Sequence, residues 1–171
     1  MNLCFLQPKH MFLIHHNLEA NINLVGTGKY PKLDKRFAGS FGSALMYYVI
    51  PKVILFRQEH SPRTLVKKVD FISAPGISKD NLYRPGGPKY LLTNKALFSF
   101  NKNNKMFCLE RTAQGISQCE VKKLTGFDYE VNTSINNFVL PSKSRLETLR
   151  KKIAPMVSEF YPHFTKKLWP S

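Results

Sequence analysis

The apolar residues of this chain come in short clusters, and each cluster is closed by Pro, Gly, Asn or a charge. KVILF at Lys52–Phe56, KYLLT at Lys89–Thr93, ALFSF at Ala96–Phe100 and KMFCLE at Lys105–Glu110 are the clearest. None approaches the ~20 apolar residues that a bilayer-spanning helix needs. All have the length and residue types of strands half or fully buried in a sheet. Asn101–Asn104 separates two of them and predicts a hairpin turn. INLV, within Asn21–Val25, and VDFIS, from Val69, read as further strands, and FDYEV alternates as another.

Helical signals are fewer. DKRFAGSFGSALMYYVI reads as a glycine loop opening into a short helix, and Pro62–Lys68 as a helical turn. Ser117 with Glu120 three residues on has the form of a capping box, and the helix it starts should end near Thr125-Gly126 with Gly126 as a left-handed cap. From Ser142 to Phe160, apolar residues at Leu146, Leu149, Ile153, Met156, Val157 and Phe160 have helical spacing, with Pro155 kinking or dividing the helix. The apolar opening MNLCFLQPKHMFLI carries its charge in the middle and has no small-residue cleavage site. It reads as a strand or helix remnant rather than a signal peptide. The pattern predicts an α/β fold with an open twisted mixed sheet flanked by helices. Residues 1–141 are expected to form that domain, and 142–171 a helical tail packed on it.

Lys and Arg number 26 against 11 Asp and Glu, a net charge of +15. The excess suits polyanions, but it is spread along the whole chain rather than gathered in one block, as a solvated surface would be. Cys4, Cys108 and Cys119 are odd in number and match no zinc spacing, which suits free thiols in a reducing cytoplasm. No metal and no covalently bound cofactor is expected.

The order of the pieces carries a resemblance. Val69-Asp70-Phe71, Pro75-Gly76, Gly86-Gly87-Pro88, Thr93-Asn94, Phe98 with Phe100, and Thr125-Gly126-Phe127 follow one another as they do in the beta subunits of family I CoA-transferases, of the glutaconate CoA-transferase type. Upstream, ANIN at Ala20–Asn23 is similar to the family's G-N-x-N turn, KRFAGSFGSA at Lys35–Ala44 to its Gly-Ser-Gly-Gly loop, and His60 to a histidine often found before the Val-Asp-Phe strand. The resemblance runs from about Asn17 to Tyr129. It implies the NagB/RpiA/CoA-transferase type of fold, a coenzyme A thioester as substrate, and an active site shared with an alpha-type subunit. It also implies an N-terminally truncated member, because the family's beta subunits begin well before the ANIN turn and carry the nucleophilic glutamate in that earlier part. Three departures stand out: Ala20 where the family has glycine, Phe41 inside the glycine loop, and Ala113-Gln114-Gly115 in place of a proline-glycine pair.

The family reaction sends a carboxylate against an acyl-CoA thioester, through an anhydride to a glutamyl-CoA intermediate. It needs an activated carboxylate and donors for the oxyanion. Gly39, Ser40 and Gly42 are the expected CoA and oxyanion loop, although an ordinary strand-to-helix turn has the same composition. Asn21 and Asn23 are near-site candidates, or simply hold a turn with their side chains. Lys35 and Arg36 can meet CoA phosphates or be solvated. His60 reads as a surface or supporting histidine, and Asp70 as a loop anchor accepting backbone hydrogen bonds. Glu19, Glu59 and Glu110 remain as carboxylates, none in a nucleophile motif, so no catalytic residue is assigned. The competing expectations are an inactive truncated homologue, a CoA-thioester hydrolase or ring-opening subunit, and, from another class, a basic nucleic-acid-binding module, which the absence of any recognised motif disfavours.

Overall fold

The computed structural model describes residues 19–169 and, for the backbone alone, residues 3–6. Two compact units follow the chain, Met1–Phe138 and Val139–Ser171. Among the described residues no helix is long and apolar enough to cross a membrane.

The first unit is built on a six-stranded sheet. Its strands are β1 (Leu3–Leu6), β4 (Lys52–Arg57), β5 (Pro88–Thr93), β6 (Ala96–Asn101), β7 (Met106–Thr112) and β8 (Glu130–Asn137), in the spatial order β1-β4-β5-β6-β7-β8. The pairs β1·β4, β4·β5 and β7·β8 are parallel, and β5·β6 and β6·β7 antiparallel. The sheet is therefore mixed, as expected. The apolar opening supplies β1, in register Leu3↔Lys52 to Leu6↔Leu55; residues 7–18 of that stretch lie outside the described residues. The β6–β7 hairpin turns where Asn101 Oδ1 accepts from the Asn103 amide at 2.9 Å and, more loosely, the Asn104 amide at 3.4 Å.

Between β1 and β4 stand a small hairpin, β2 (Gly26–Lys29) with β3 (Lys32–Arg36), and the helix α1 (Ser43–Val49). Helix α2 (Gln118–Leu124) precedes β8. Ser117 Oγ accepts from the Glu120 amide at 3.1 Å, which confirms the cap, but the Glu120 carboxylate turns away to Lys95 Nζ at 2.7 Å instead of closing the box.

Phe98 anchors the core from β6. Its ring meets Phe107 at 6.3 Å, Phe127 at 6.1 Å and Tyr129 at 5.2 Å. Phe98 and Phe107 are fully buried with Leu55, Leu91 and Leu109. The aromatic residues of the strands are thus spent on packing, where each ring contributes its burial and edge-to-face contacts.

The motif glycines are explained by clearance. A Cβ on Gly76 would stand 1.9 Å from the Glu19 carbonyl oxygen, one on Gly86 2.3 Å from that of Tyr48, and one on Gly126 2.3 Å from that of Leu65. Gly126 donates to that same Leu65 oxygen at 2.7 Å. It is not the left-handed cap expected: α2 ends with Thr125 in extended conformation, and the glycine serves close approach of two backbones.

His60 ties three elements together and is buried rather than at the surface. Its Nε2 lies 3.0 Å from Thr125 Oγ1, whose own hydrogen goes to the Val121 carbonyl at 2.7 Å. Nε2–H is therefore the donor there, and Nδ1 accepts from the Thr93 hydroxyl at 2.8 Å. Burial, with the Lys95 ammonium adding to it, lowers the His60 pKa to about 4.

The second unit consists of α3 (Lys143–Thr148), a π-helical turn (Leu149–Ile153), α4 (Ala154–Phe160) and α5 (Pro162–Leu168). Ser142 caps α3 by accepting from the Arg145 amide. The chain passes Pro155 by widening: the Ala154 amide reaches back to the Leu149 carbonyl, five residues away, just before the residue that has no N–H to give.

Stability should respond to pH through His60. Since the unfolded histidine titrates near pH 6.5 and the folded one near 4, its neutral burial stabilises fully above about pH 6.5 and is lost as pH falls toward 4, a difference on the order of 3 kcal/mol. Urea unfolding across that range should show the loss, and His60→Gln should flatten it; an imidazole NMR titration with a midpoint above 6 would contradict the assignment. In the same unfolding assay, Gly76→Ala and Gly126→Ala should each cost ~2 kcal/mol or more, because neither neighbouring backbone can yield cheaply.

Candidate functional site

The segment before β2 is held by side chains rather than by a sheet. Asn23 Oδ1 accepts from the Val25 and Gly26 amides at 3.0 and 3.2 Å, and its Nδ2 donates to the Gly26 carbonyl at 2.6 Å. Asn21 Oδ1 accepts from the Gly76 amide at 3.1 Å. Both asparagines are buried. Their polar groups shape the turn and join it to the Pro75-Gly76 break, so their observed work is structural. INLV and VDFIS are not strands: they meet at a single bridge, Ile22 to Ala74, and Ser73 Oγ takes the Leu24 amide at 3.0 Å. Ala20, where the resemblance implies glycine, adopts a positive φ of 51°.

That joint carries the glycine loop. Phe37 and Gly39 donate back to the Val25 and Leu24 carbonyls at 2.8 and 2.9 Å. Gly39 turns the chain at φ 97°, Phe41 follows at φ 45°, and Gly42 caps α1. Ser40 closes the turn by accepting from the amide and hydroxyl of Ser43. Among the described residues no hydrogen bond engages the Ser40, Phe41 or Gly42 N–H groups. A Cβ on Gly39 or Gly42 would meet nothing within 4 Å, unlike those on the packing glycines. The loop is open on the side where a ligand would approach, and the Phe41 side chain, 89% exposed, points away from the packed chain. Such a loop can offer backbone donors to a developing negative charge.

A second feature was not legible as a unit. A cavity of about 310 Å³ opens beside the loop's incoming strand, between the β2–β3 hairpin and the segment after β4. Lys35, Arg57, Arg63 and Lys68 line it, with Phe37 and Val66 as apolar wall. Asp70, at its edge, accepts from the Gly28 amide at 2.9 Å, which is the loop-anchoring role expected of it. Lys35 takes part in this lining; Arg36 does not.

The carboxylates are differently placed. Glu59 accepts from Ser61 Oγ at 2.6 Å and bridges Arg57 and Arg63 at 3.1 and 3.0 Å. The Ser61 hydroxyl and then the two guanidiniums hold its pKa below the ordinary carboxylate range, which makes it a weak base. Glu110 accepts from Ser99 Oγ at 2.5 Å and Asn132 Nδ2 at 2.8 Å on the sheet. Glu19 accepts from Asn21 Nδ2 at 3.4 Å. Among the described residues no group of three or more His, Cys, Asp or Glu gathers as a metal site would require.

The loop between the two glycine motifs docks on α1 through Arg84. Its guanidinium lies 5.4 Å from the Tyr47 ring and 5.5 Å from the Tyr48 ring, and donates to the Tyr47 carbonyl at 3.0 Å. Gly86 and Gly87 then donate to the Tyr48 and Ile50 carbonyls.

No protein-family model matches the chain. The beta-type subunit of the glutaconate CoA-transferase of Acidaminococcus fermentans is 26% identical over 142 residues, which are 79% of this chain and 52% of that protein. The crystal structure of the glutaconate coenzyme A-transferase of the same organism superposes with a TM-score of 0.73 at 24% identity, covering 88% of this chain and 57% of that one. The decarboxylase AibA/AibB has a TM-score of 0.70 at 17% identity, covering 87% and 56%. The chain spans about half the length of the curated relative it matches. In sequence it is similar to the beta-type subunit of a glutaconate CoA-transferase, and its fold is that of the CoA-transferase beta half.

Proposed function

We propose that this chain is a beta-type subunit of a CoA-transferase, moving CoA between an acyl-CoA and a carboxylic acid together with an alpha-type partner. The observation that carries the reading is the open loop at Gly39–Gly42, whose amides are unspent and whose glycines face free space. In this reading the Phe41 and Gly42 amides receive the oxygen of the thioester carbonyl as negative charge develops on it. Asn21 and Asn23 act behind the loop by fixing the joint from which it springs.

The nucleophilic carboxylate comes from outside the described segment. Glu59 is held by two guanidiniums, and Glu110 is engaged on the sheet by Ser99 and Asn132. Neither is placed to attack a thioester lying on the loop. The site is therefore completed by other residues. An alpha-type subunit is the natural companion, since the similar glutaconate enzyme is named by its subunits and the similar decarboxylase as an AibA/AibB pair. A coenzyme A thioester is the substrate, and the cytoplasm the expected compartment. Binding of nucleic acid is the weaker reading, because Phe98, Phe107 and Phe127 are buried in the core rather than laid on a basic face.

The test is acyl-CoA exchange and hydrolysis with the chain co-purified with an alpha-type subunit. Turnover or stoichiometric CoA binding is expected; neither, with any acyl-CoA tried, would end the proposal. Gly42→Ala is the informative variant. Its φ of −83° suits alanine and its Cβ meets nothing, so stability should stay within ~0.5 kcal/mol. Turnover should nevertheless fall about 10- to 100-fold, because a methyl group would hold the thioester away from the amides.

A further inference from the structure

We propose that the basic cavity between the β2–β3 hairpin and the segment after β4 is a phosphate-binding site, taking a diphosphate or a nucleoside diphosphate. Its lining alone supports this, independently of the acyl-transfer reading.

The charge balance comes first. Four cationic side chains, Lys35, Arg57, Arg63 and Lys68, face this space. The carboxylate of Glu59 bridges the two arginines, and Asp70 is the one acid in the lining. Two acids against four cations leave an excess of about two positive charges, the charge that a diphosphate would complement. Among the described residues neither the Lys35 nor the Lys68 ammonium lies within ion-pairing distance of a carboxylate. Asp70 is itself directed to a backbone amide, that of Gly28.

Shape and chemistry agree with this balance. A volume of about 310 Å³ lies at the small end of the roughly 300–1,000 Å³ usual for ligand clefts. It has room for a pyrophosphate and part of a nucleoside. The Thr27 hydroxyl lines the cavity and can add a neutral donor. Phe37, Val66 and Val69 form one apolar wall against which a base or sugar can rest. A cluster of lysines solvated on a convex face would have neither the enclosure nor this wall. The hairpin that forms one side is itself held in place, by the Gly28 amide on Asp70 and the Phe37 amide on Val25, so the site is preformed.

Calorimetric titration of the full chain with inorganic pyrophosphate, with ADP and with succinate at matched ionic strength tests the proposal. Pyrophosphate and ADP should bind at least about tenfold more tightly than succinate, since charge-assisted bonds to a tetrahedral anion exploit all sides of the cluster. Lys35→Gln and Lys68→Gln should each weaken binding by about tenfold, whereas Lys123→Gln, on α2 and outside the lining, should leave it unchanged. ADP binding more tightly than pyrophosphate would place the nucleoside on the Phe37 wall; equal affinity would assign the site to phosphate alone. Both lysines are exposed, and an unchanged melting curve for each variant keeps the comparison clean. Equal affinity for succinate, or equal losses in the Lys123 control, would reduce the effect to net charge and overturn the proposal. Since no acyl-CoA or partner enters the experiment, its failure leaves the acyl-transfer reading untouched.

Discussion

The crossing of residues 20–26 over residues 73–76 is the joint on which the candidate site depends. It has few regular backbone bonds to rely on. Ile22 and Ala74 make one bridge, and the rest is done by side chains: Asn21 to the Gly76 amide, Asn23 to its own turn, Ser73 to Leu24 and Ile22. These polar groups are buried, so each bond lost would leave an unsatisfied partner in the interior. Gly76 is required because the second segment passes so near Glu19. The glycine loop then hangs from this joint through Phe37 and Gly39. Precision at the loop is inherited from a knot of asparagine and serine hydrogen bonds rather than from the sheet.

That arrangement explains what could be read in the sequence and what could not. Strands β4 to β7 were legible because VILF, YLL and ALFSF are short apolar runs bounded by turn residues, and because Asn101–Asn104 is an unambiguous reversal. The short helix after the glycine loop and the Ser117 cap were legible for equally local reasons. INLV and VDFIS looked like strands by composition, yet Asn23 and Ser73 divert the backbone amides that a ladder would have used. The β2–β3 hairpin escaped notice because GTGKYPKLDKR is polar and glycine-rich, with no alternation to betray it. It forms through backbone pairing and the Asp70 anchor, neither of which leaves a periodic trace.

The candidate site was half visible. Motif order pointed to Gly39, Ser40 and Gly42, and the open space around the two glycines separates them physically from Gly76, Gly86 and Gly126, which exist for packing. Sequence alone could not make that distinction, since both kinds of glycine sit in turns. Lys35 could be suspected, but its companion Lys68 comes from the far side of α1 and β4. His60 was legible as a residue of interest, not as a buried one. Its partners, Thr93 and Thr125, lie 33 and 65 positions away, and only the folded sheet brings them to the ring.

The stacking of Arg84 on Tyr47 and Tyr48 has a bearing on how this region forms. Helix α1 has seven residues, too few to persist in water without tertiary support. The segment from Ile77 to Gly87 has no regular structure of its own. Each supplies what the other lacks: the helix offers two aromatic faces and its terminal carbonyls, and the loop offers a guanidinium and the Gly86 and Gly87 amides. Helix and loop are thus a single cooperative element that opens and closes as a whole. Amide hydrogen exchange in the two stretches would accordingly share one opening free energy, although nearly thirty residues separate them in the chain.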